Sequence, residues 1–138
     1  VSTRLSQDEI RTDMTLHCIG RSPLVFYADP IVIDDFTLDI LTNADALDAN
    51  RTGSGQRQFA GDANERRWLS VKTGTSSKYL ALFNLTDKPR AVEQPLAEAG
   101  FPDGCRIWDI WSHKNMGFFA GSYKTMIAGH GVGFYRLD

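Results

Sequence analysis

From Arg67 onward the sequence is a succession of short strand signals separated by turn signals, and this constrains the fold more than any other feature. Arg67-Trp68-Leu69-Ser70-Val71-Lys72 alternates apolar and polar residues, and Lys78 to Leu85 reads as a strong central strand. Thr86-Asp87-Lys88-Pro89 is a turn, and Arg90 to Leu96 is another strand. Pro102-Asp103-Gly104 turns the chain before a strand over Cys105 to Trp111; Gly117 to Phe119, Ser122 to Ala128 and Gly133 to Leu137 follow. Short strands at near-regular spacing specify an antiparallel sandwich or barrel, here of about seven or eight strands. Residues 53–64, from Gly53-Ser54-Gly55 to Gly61-Asp62-Ala63-Asn64, read as a polar loop in front of it.

Before residue 53 the signals are helical. Ser6-Gln7-Asp8-Glu9 is a capping box, in which Ser6 accepts from the Glu9 amide and Glu9 reaches back. Ile10, Met14, Leu16, Cys18 and Ile19 give an apolar stripe, and Gly20 stands where a C-terminal cap belongs, so a helix is predicted over roughly 7 to 19. Leu24 to Ala28, between Pro23 and Pro30, is a continuous apolar run and reads as a fully buried strand. A second helix follows, capped by Asp34 and carrying Phe36, Ile40, Leu41, Ala44 and Leu47, with Asn43 as a point of breakage. Helix, buried strand, helix is the pattern of an α/β barrel or doubly wound sheet. One strand makes no such sheet, so the remaining strands are expected to come from elsewhere.

The 138 residues suffice for one ordinary domain, or a small domain and a fragment. Hydrophobic content of 42% and charged content of 23% are globular values. A net charge of −2 argues against nucleic-acid binding. No apolar run approaches the roughly 18 residues of a membrane helix, and no basic start followed by an apolar run marks a signal peptide. Cys18 and Cys105 read as free buried thiols rather than a disulfide.

The search for chemistry gives little. His17, His113 and His130 are scattered, with no metal-ligand spacing. Gly129-His130-Gly131-Val132-Gly133 mimics a phosphate-binding loop but leads into a strand rather than a helix, so it reads as a turn. Glycoside hydrolysis needs two carboxylates about 5–9 Å apart. Asp29 is the best single candidate, at the C-terminal end of the buried strand, where barrel active sites lie; the preferred reading is that it caps or braces the βα loop. Asp34, Asp35, Asp39, Asp45 and Asp48 are assigned to a solvated helix face or its caps. Asp87 and Asp103 belong to turns, and Asp109, on a strand between two tryptophans, is expected to satisfy a neighbouring loop. Trp108 and Trp111 suggest a sugar-stacking platform, but residues an odd number apart on a strand face opposite sides, so one is expected in the core and one at the rim. Asn50-Arg51-Thr52 and Asn84-Leu85-Thr86 fit the N-glycosylation pattern.

Taken in order, these segments resemble glycoside hydrolase family 27, the α-galactosidase and α-N-acetylgalactosaminidase family. Leu5-Ser6-Gln7-Asp8-Glu9, then Ser22-Pro23-Leu24, then Asp29 is similar to its L-S-x-x-E … S-P-L … D passage. Leu41-Thr42-Asn43 with Ala46-Leu47-Asp48-Ala49-Asn50 resembles its L-T-N helix, with Arg51-Thr52 where the family has Gln-Asp. Trp108-Asp109-Ile110-Trp111-Ser112-His113-Lys114 resembles D-L-W-S-G-K, and His130-Gly131-Val132 with Tyr135-Arg136-Leu137 resembles the closing H-G-V-x-x-x-R-L.

The resemblance implies a mainly β chain. Residues 1–52 would be barrel helix 7, strand 8 and helix 8, and residues 53–138 a C-terminal antiparallel β-sandwich of Greek-key type. It further implies a retaining enzyme acting on terminal α-galactosides, whose nucleophile follows barrel strand 4, whose acid/base follows strand 6 and whose substrate-binding carboxylate follows strand 7. None of these maps onto this chain, so no catalytic residue is assigned and the chain alone is expected to be inactive. Asp29 would be the strand-8 aspartate, near the substrate. The expected partners are the N-terminal barrel portion and, in the whole enzyme, a galactoside-type carbohydrate; no cofactor, metal, nucleic acid or membrane is expected. The alternative is a stand-alone, non-catalytic β-sandwich that binds carbohydrate or serves structurally.

Overall fold

A computed structural model describes residues 4–25 and 32–138. Three helices come first: α1 (Gln7–Ile19), α2 (Asp35–Thr42) and α3 (Ala44–Thr52). Eight strands follow: β1 (Gly53–Gly61), β2 (Glu65–Lys72), β3 (Lys78–Asn84), β4 (Arg90–Pro95), β5 (Cys105–Asp109), β6 (Lys114–Phe119), β7 (Ser122–Ile127) and β8 (Val132–Leu137). They form an antiparallel six-stranded sheet in the order β1-β2-β3-β8-β5-β6 and a two-stranded sheet of β4 and β7. No helix among the described residues is long and apolar enough to cross a membrane.

Strand β3 explains the layering. Its residues alternate between two cores, because successive side chains leave a strand on opposite faces. Leu80 and Leu82 point into a core shared with Val92, Tyr123 and Ile127 of the small sheet. Tyr79, Ala81 and Phe83 point into a second core with Met14, Cys18 and Ile19 of α1, Ile40 of α2, Ala46 and Ala49 of α3, and Phe134 of β8. The large sheet is thus the middle layer, with the small sheet on one face and the helices on the other. Each fully buried Leu, Ile or Phe in these cores contributes about 1.5–3 kcal/mol.

Local chemistry sets the helix limits. Ser6 and Glu9 form the expected capping box, with Glu9 held below the usual carboxylate pKa range by the Ser6 amide and hydroxyl. Asp34 caps α2 through the Thr37 amide. Asn43 separates α2 from α3: its Oδ1 accepts from the Ala46 amide at 3.0 Å, and its Nδ2 donates to the Ile110 carbonyl at 2.9 Å. The amide side chain thereby starts a new helix and ties it to the β5–β6 turn. Gly104, at φ +93°, closes the turn before β5, and a Cβ there would run into the Phe119 carbonyl.

Three expectations change, and a fourth falls mostly outside the described residues. Residues 53–64 are not a loop: Gly53–Gly61 pairs with β2 as an edge strand, with register irregularities between Ser54 and Arg57 and between Gln58 and Ala60. Its middle residues are exposed, so no apolar alternation betrays it, and ladder hydrogen bonds need only the backbone. Leu16 leaves the stripe of α1 and stands 47% exposed; two residues from Met14, it points to the opposite side of the helix. Trp108 and Trp111 do not face opposite sides. The strand ends at Asp109 and carries an irregularity between Ile107 and Trp108, so alternation does not extend to Trp111, and both rings pack against the helix-side core. The buried strand expected over 24–28 lies largely outside the described residues; Leu24 and Val25 carry no strand pairing.

Candidate functional site

The densest polar chemistry lies along the seam between α3 and the large sheet. Asp48, assigned from sequence to a solvated face, is turned onto the sheet. Its Oδ2 accepts from the Tyr79 hydroxyl at 2.6 Å and lies 2.9 Å from Lys72 Nζ, and its Oδ1 accepts from Arg51 at 3.1 Å. Burial raises its pKa, but the hydrogen bonds from Tyr79, Lys72 and Arg51 outweigh that and hold it down at about 2. Asp45, one turn earlier, accepts from Trp108 Nε1 at 3.0 Å and from Arg136 at 3.0 Å. Arg136 also meets Asp138 at 3.1 Å. A three-residue spacing places both carboxylates on the same face of α3, a signal the sequence carried once that face was known to meet a sheet.

Both carboxylates are committed to donors on the sheet and Asp48 is held ionised, so they clamp the helix to the sheet. The indole of Trp111 donates to Thr15 Oγ1 at 2.8 Å. With Trp108 bound to Asp45, each tryptophan anchors a helix, and the pair offers no two-ring sugar platform. Both glycosylation-like asparagines are likewise internal fasteners. Asn50 Nδ2 donates to the His17 and Ser22 carbonyls. Asn84, 2% exposed, donates to the carbonyls of Lys88, Ile127 and Ala128.

The remaining candidates are placed as follows. Asp29 lies outside the described residues. Asp109 Oδ1 accepts from the Ser112 amide at 3.2 Å, a loop contact as expected. The glycine-rich segment is a turn in which His130 Nε2 meets Asp87 Oδ1 at 2.6 Å and the His130 carbonyl accepts from Thr12. Cys18 and Cys105 are free and buried; burial lifts their thiols to about 12 and about 11, so both are unreactive at neutral pH. Among the described residues no group of three or more His, Cys, Asp and Glu side chains is placed to hold a metal.

Fold and contacts define a class: an antiparallel β-sandwich whose large sheet is closed on its second face by helices from the preceding segment. Residues 67–137 match the model of the α-galactosidase C-terminal β-sandwich domain. Among curated proteins, an α-galactosidase of Cyamopsis tetragonoloba is 20% identical over 136 residues, spanning 96% of this chain and 33% of its own length. α-Galactosidase D of Emericella nidulans is 25% identical over 137 residues, spanning 96% of this chain and 21% of its own. Among solved structures, the family 27 β-L-arabinopyranosidase of Geobacillus stearothermophilus superposes with a TM-score of 0.94 at 29% identity, covering 100% of this chain and 32% of that one. The chain belongs to the α-galactosidase C-terminal β-sandwich family and is the C-terminal portion of a glycoside hydrolase family 27 α-galactosidase-like protein. It spans a third or less of the length of these relatives.

Proposed function

We propose that this chain is the closing portion of a longer glycosidase, in which residues 1–52 complete a (β/α)8 barrel and residues 53–138 form the sandwich that braces it. The observation that carries this reading is the set of aliphatic side chains left open on and between the first two helices: Leu16, Leu38 at 49%, Val25 at 63% and Val32 at 66% exposure. Single exposed aliphatics are ordinary; four between residues 16 and 38 suit a segment that packs against further barrel elements. The stand-alone carbohydrate module has less support. A binding platform would show a row of exposed aromatics, and Phe118 is the one strongly exposed aromatic among the described residues.

The longer enzyme would hydrolyse a terminal α-galactoside or a stereochemical relative with retention, using carboxylates outside these residues. The relatives' names fit one ring: an α-D-galactopyranoside without its exocyclic hydroxymethyl group has the configuration of a β-L-arabinopyranoside. Asp29 would border the substrate without taking part in bond cleavage. The test is an assay of the purified 138-residue chain and of a longer protein carrying the barrel, with the nitrophenyl glycosides of both sugars. The chain alone should show no turnover, and the longer protein should cleave one or both. Turnover by the chain alone overturns the inactivity.

A further inference from the structure

Where the two sheets diverge beside the start of α1, the fold leaves a cleft of about 310 Å³. Asp109 and Tyr135 come from β5 and β8, Thr125 from β7, Trp111 from the β5–β6 turn, and Asp8 and Arg11 from α1. The volume stands at the lower end for small-molecule pockets, room for one small ring rather than an extended chain.

The polar groups are incompletely used. Asp109 receives one hydrogen bond among the described residues, from the Ser112 amide to Oδ1, which leaves Oδ2 as a free acceptor. Arg11 touches Asp8 only through Nη1, at a long 3.4 Å, and its guanidinium lies over Phe36 with Cζ 4.8 Å from the ring centroid. The other guanidinium donors have no partner among the described residues. Tyr135 and Thr125 also line the cleft, and each carries a hydroxyl. Acceptor, donors and hydroxyls therefore line one cleft, while Trp111, its N–H tied back to Thr15, contributes ring surface. Met126, 66% exposed, forms an apolar part of the rim.

This arrangement discriminates between ligand classes. Two carboxylates against one guanidinium disfavour an anion. The guanidinium and the apolar rim disfavour a bare cation. The polar lining disfavours a purely apolar ligand, which would leave these groups unpaired. A neutral ring with several hydroxyls satisfies all of them, since each hydroxyl both donates and accepts and its C–H face covers an indole. We propose that this cleft binds a single monosaccharide-sized polyol through Asp109, Arg11 and the Tyr135–Thr125 hydroxyls. The proposal concerns residues of this chain alone and stands whether or not the barrel reading holds.

The experiment is an NMR titration of the full 138-residue chain with D-galactose and, separately, L-arabinose, following the Trp111 indole N–H and the Ser112 amide. One ring with few buried contacts should give saturable changes with a dissociation constant on the order of 1–10 mM. Asp109→Asn should weaken binding at least about fivefold, the loss of roughly one charge-assisted hydrogen bond. Met126→Arg, a change at an exposed position that leaves the core untouched, should block the mouth and abolish saturation even if Asp109→Asn fails to fold. Non-saturating changes in the parent chain, or equal affinity in the parent and Met126→Arg, overturn the proposal.

Discussion

The Tyr79 hydroxyl donates a 2.6 Å hydrogen bond to Asp48 Oδ2, joining the middle strand of the large sheet to the last helix. Asp48 is ionised down to about pH 2, against an ordinary 3.8. A depressed folded-state pKa contributes stability that is fully present above 3.8 and is lost as pH falls through about 2. Tyr79→Phe keeps the ring against Phe134, 6.4 Å between centroids, and removes only the hydroxyl. It should cost about 1.5–3 kcal/mol at neutral pH, the range for a hydrogen bond to a charged group. Urea unfolding of parent and variant should show that gap narrowing as Asp48 becomes protonated. A gap that is the same at neutral and strongly acidic pH would assign the loss to packing instead.

Asn84 is the second fastener with a measurable consequence. Its Nδ2 lies 2.8, 3.1 and 3.0 Å from the carbonyls of Lys88, Ile127 and Ala128, and its Oδ1 accepts from the Thr86 amide and hydroxyl. Asn84→Ala strands these backbone groups and should cost about 3 kcal/mol. Asn84→Asp keeps the acceptor for Thr86 but sets a carboxylate against three carbonyls, so at neutral pH it should be worse than alanine. Thermal unfolding of the two variants decides; an Asp variant more stable than the Ala variant contradicts the assigned amide orientation.

These two residues also show what was legible in the sequence. Lys78 to Asn84 announced itself because both of its faces are buried, so its composition alone marked a central strand. Asn43 was readable as a break because an amide side chain competes locally for backbone partners. The strand Gly53–Gly61 was hidden, since an edge strand exposed at its centre needs no apolar pattern. Asp45, Asp48, Asn50 and Asn84 were visible, but their roles were not. Their partners lie 28 or more positions away in the chain for Asp48–Tyr79, Asn50–Ser22 and Trp108–Asp45, and more than 40 for Asn84–Ile127. Only the assembled seam shows which polar residues are inside it. The ordered family resemblance identified the sandwich correctly because it summed many weak local matches that no single contact supplied.

Ser70 offers a test in the opposite direction. It is 1% exposed on β2, and among the described residues its Oγ is the one buried side-chain polar atom without a hydrogen-bond partner. A hydroxyl buried without a partner costs free energy that an alanine does not. Ser70→Ala should therefore stabilise the chain, by about 1 kcal/mol. A rise in the urea midpoint with an unchanged slope is the expected result. A destabilisation shows that this hydroxyl has a partner.

Arg67 bridges the two sheets. From β2 it donates to Glu65 Oε1 at 2.8 and 3.2 Å, to the Glu93 carbonyl at 2.9 Å and to Gln94 Oε1 at 3.0 Å. The Arg67 and Glu65 side chains are only 14% and 15% exposed, and Gln94 on β4 is fully buried. Arg67→Met leaves a largely buried carboxylate and a buried amide oxygen unpaired, and should cost about 3–5 kcal/mol. Arg67→Lys should recover less than half of that, because one ammonium cannot span three acceptors held in the geometry of a planar fork. Removing both charges together, Arg67→Met with Glu65→Gln, should cost less than the sum of the single changes, with a coupling of about 1–3 kcal/mol. Chemical denaturation of the four proteins measures that coupling directly. If lysine restores full stability, the bond to Glu65 is the whole contribution, and the contacts from Arg67 to β4 do not hold the two sheets together.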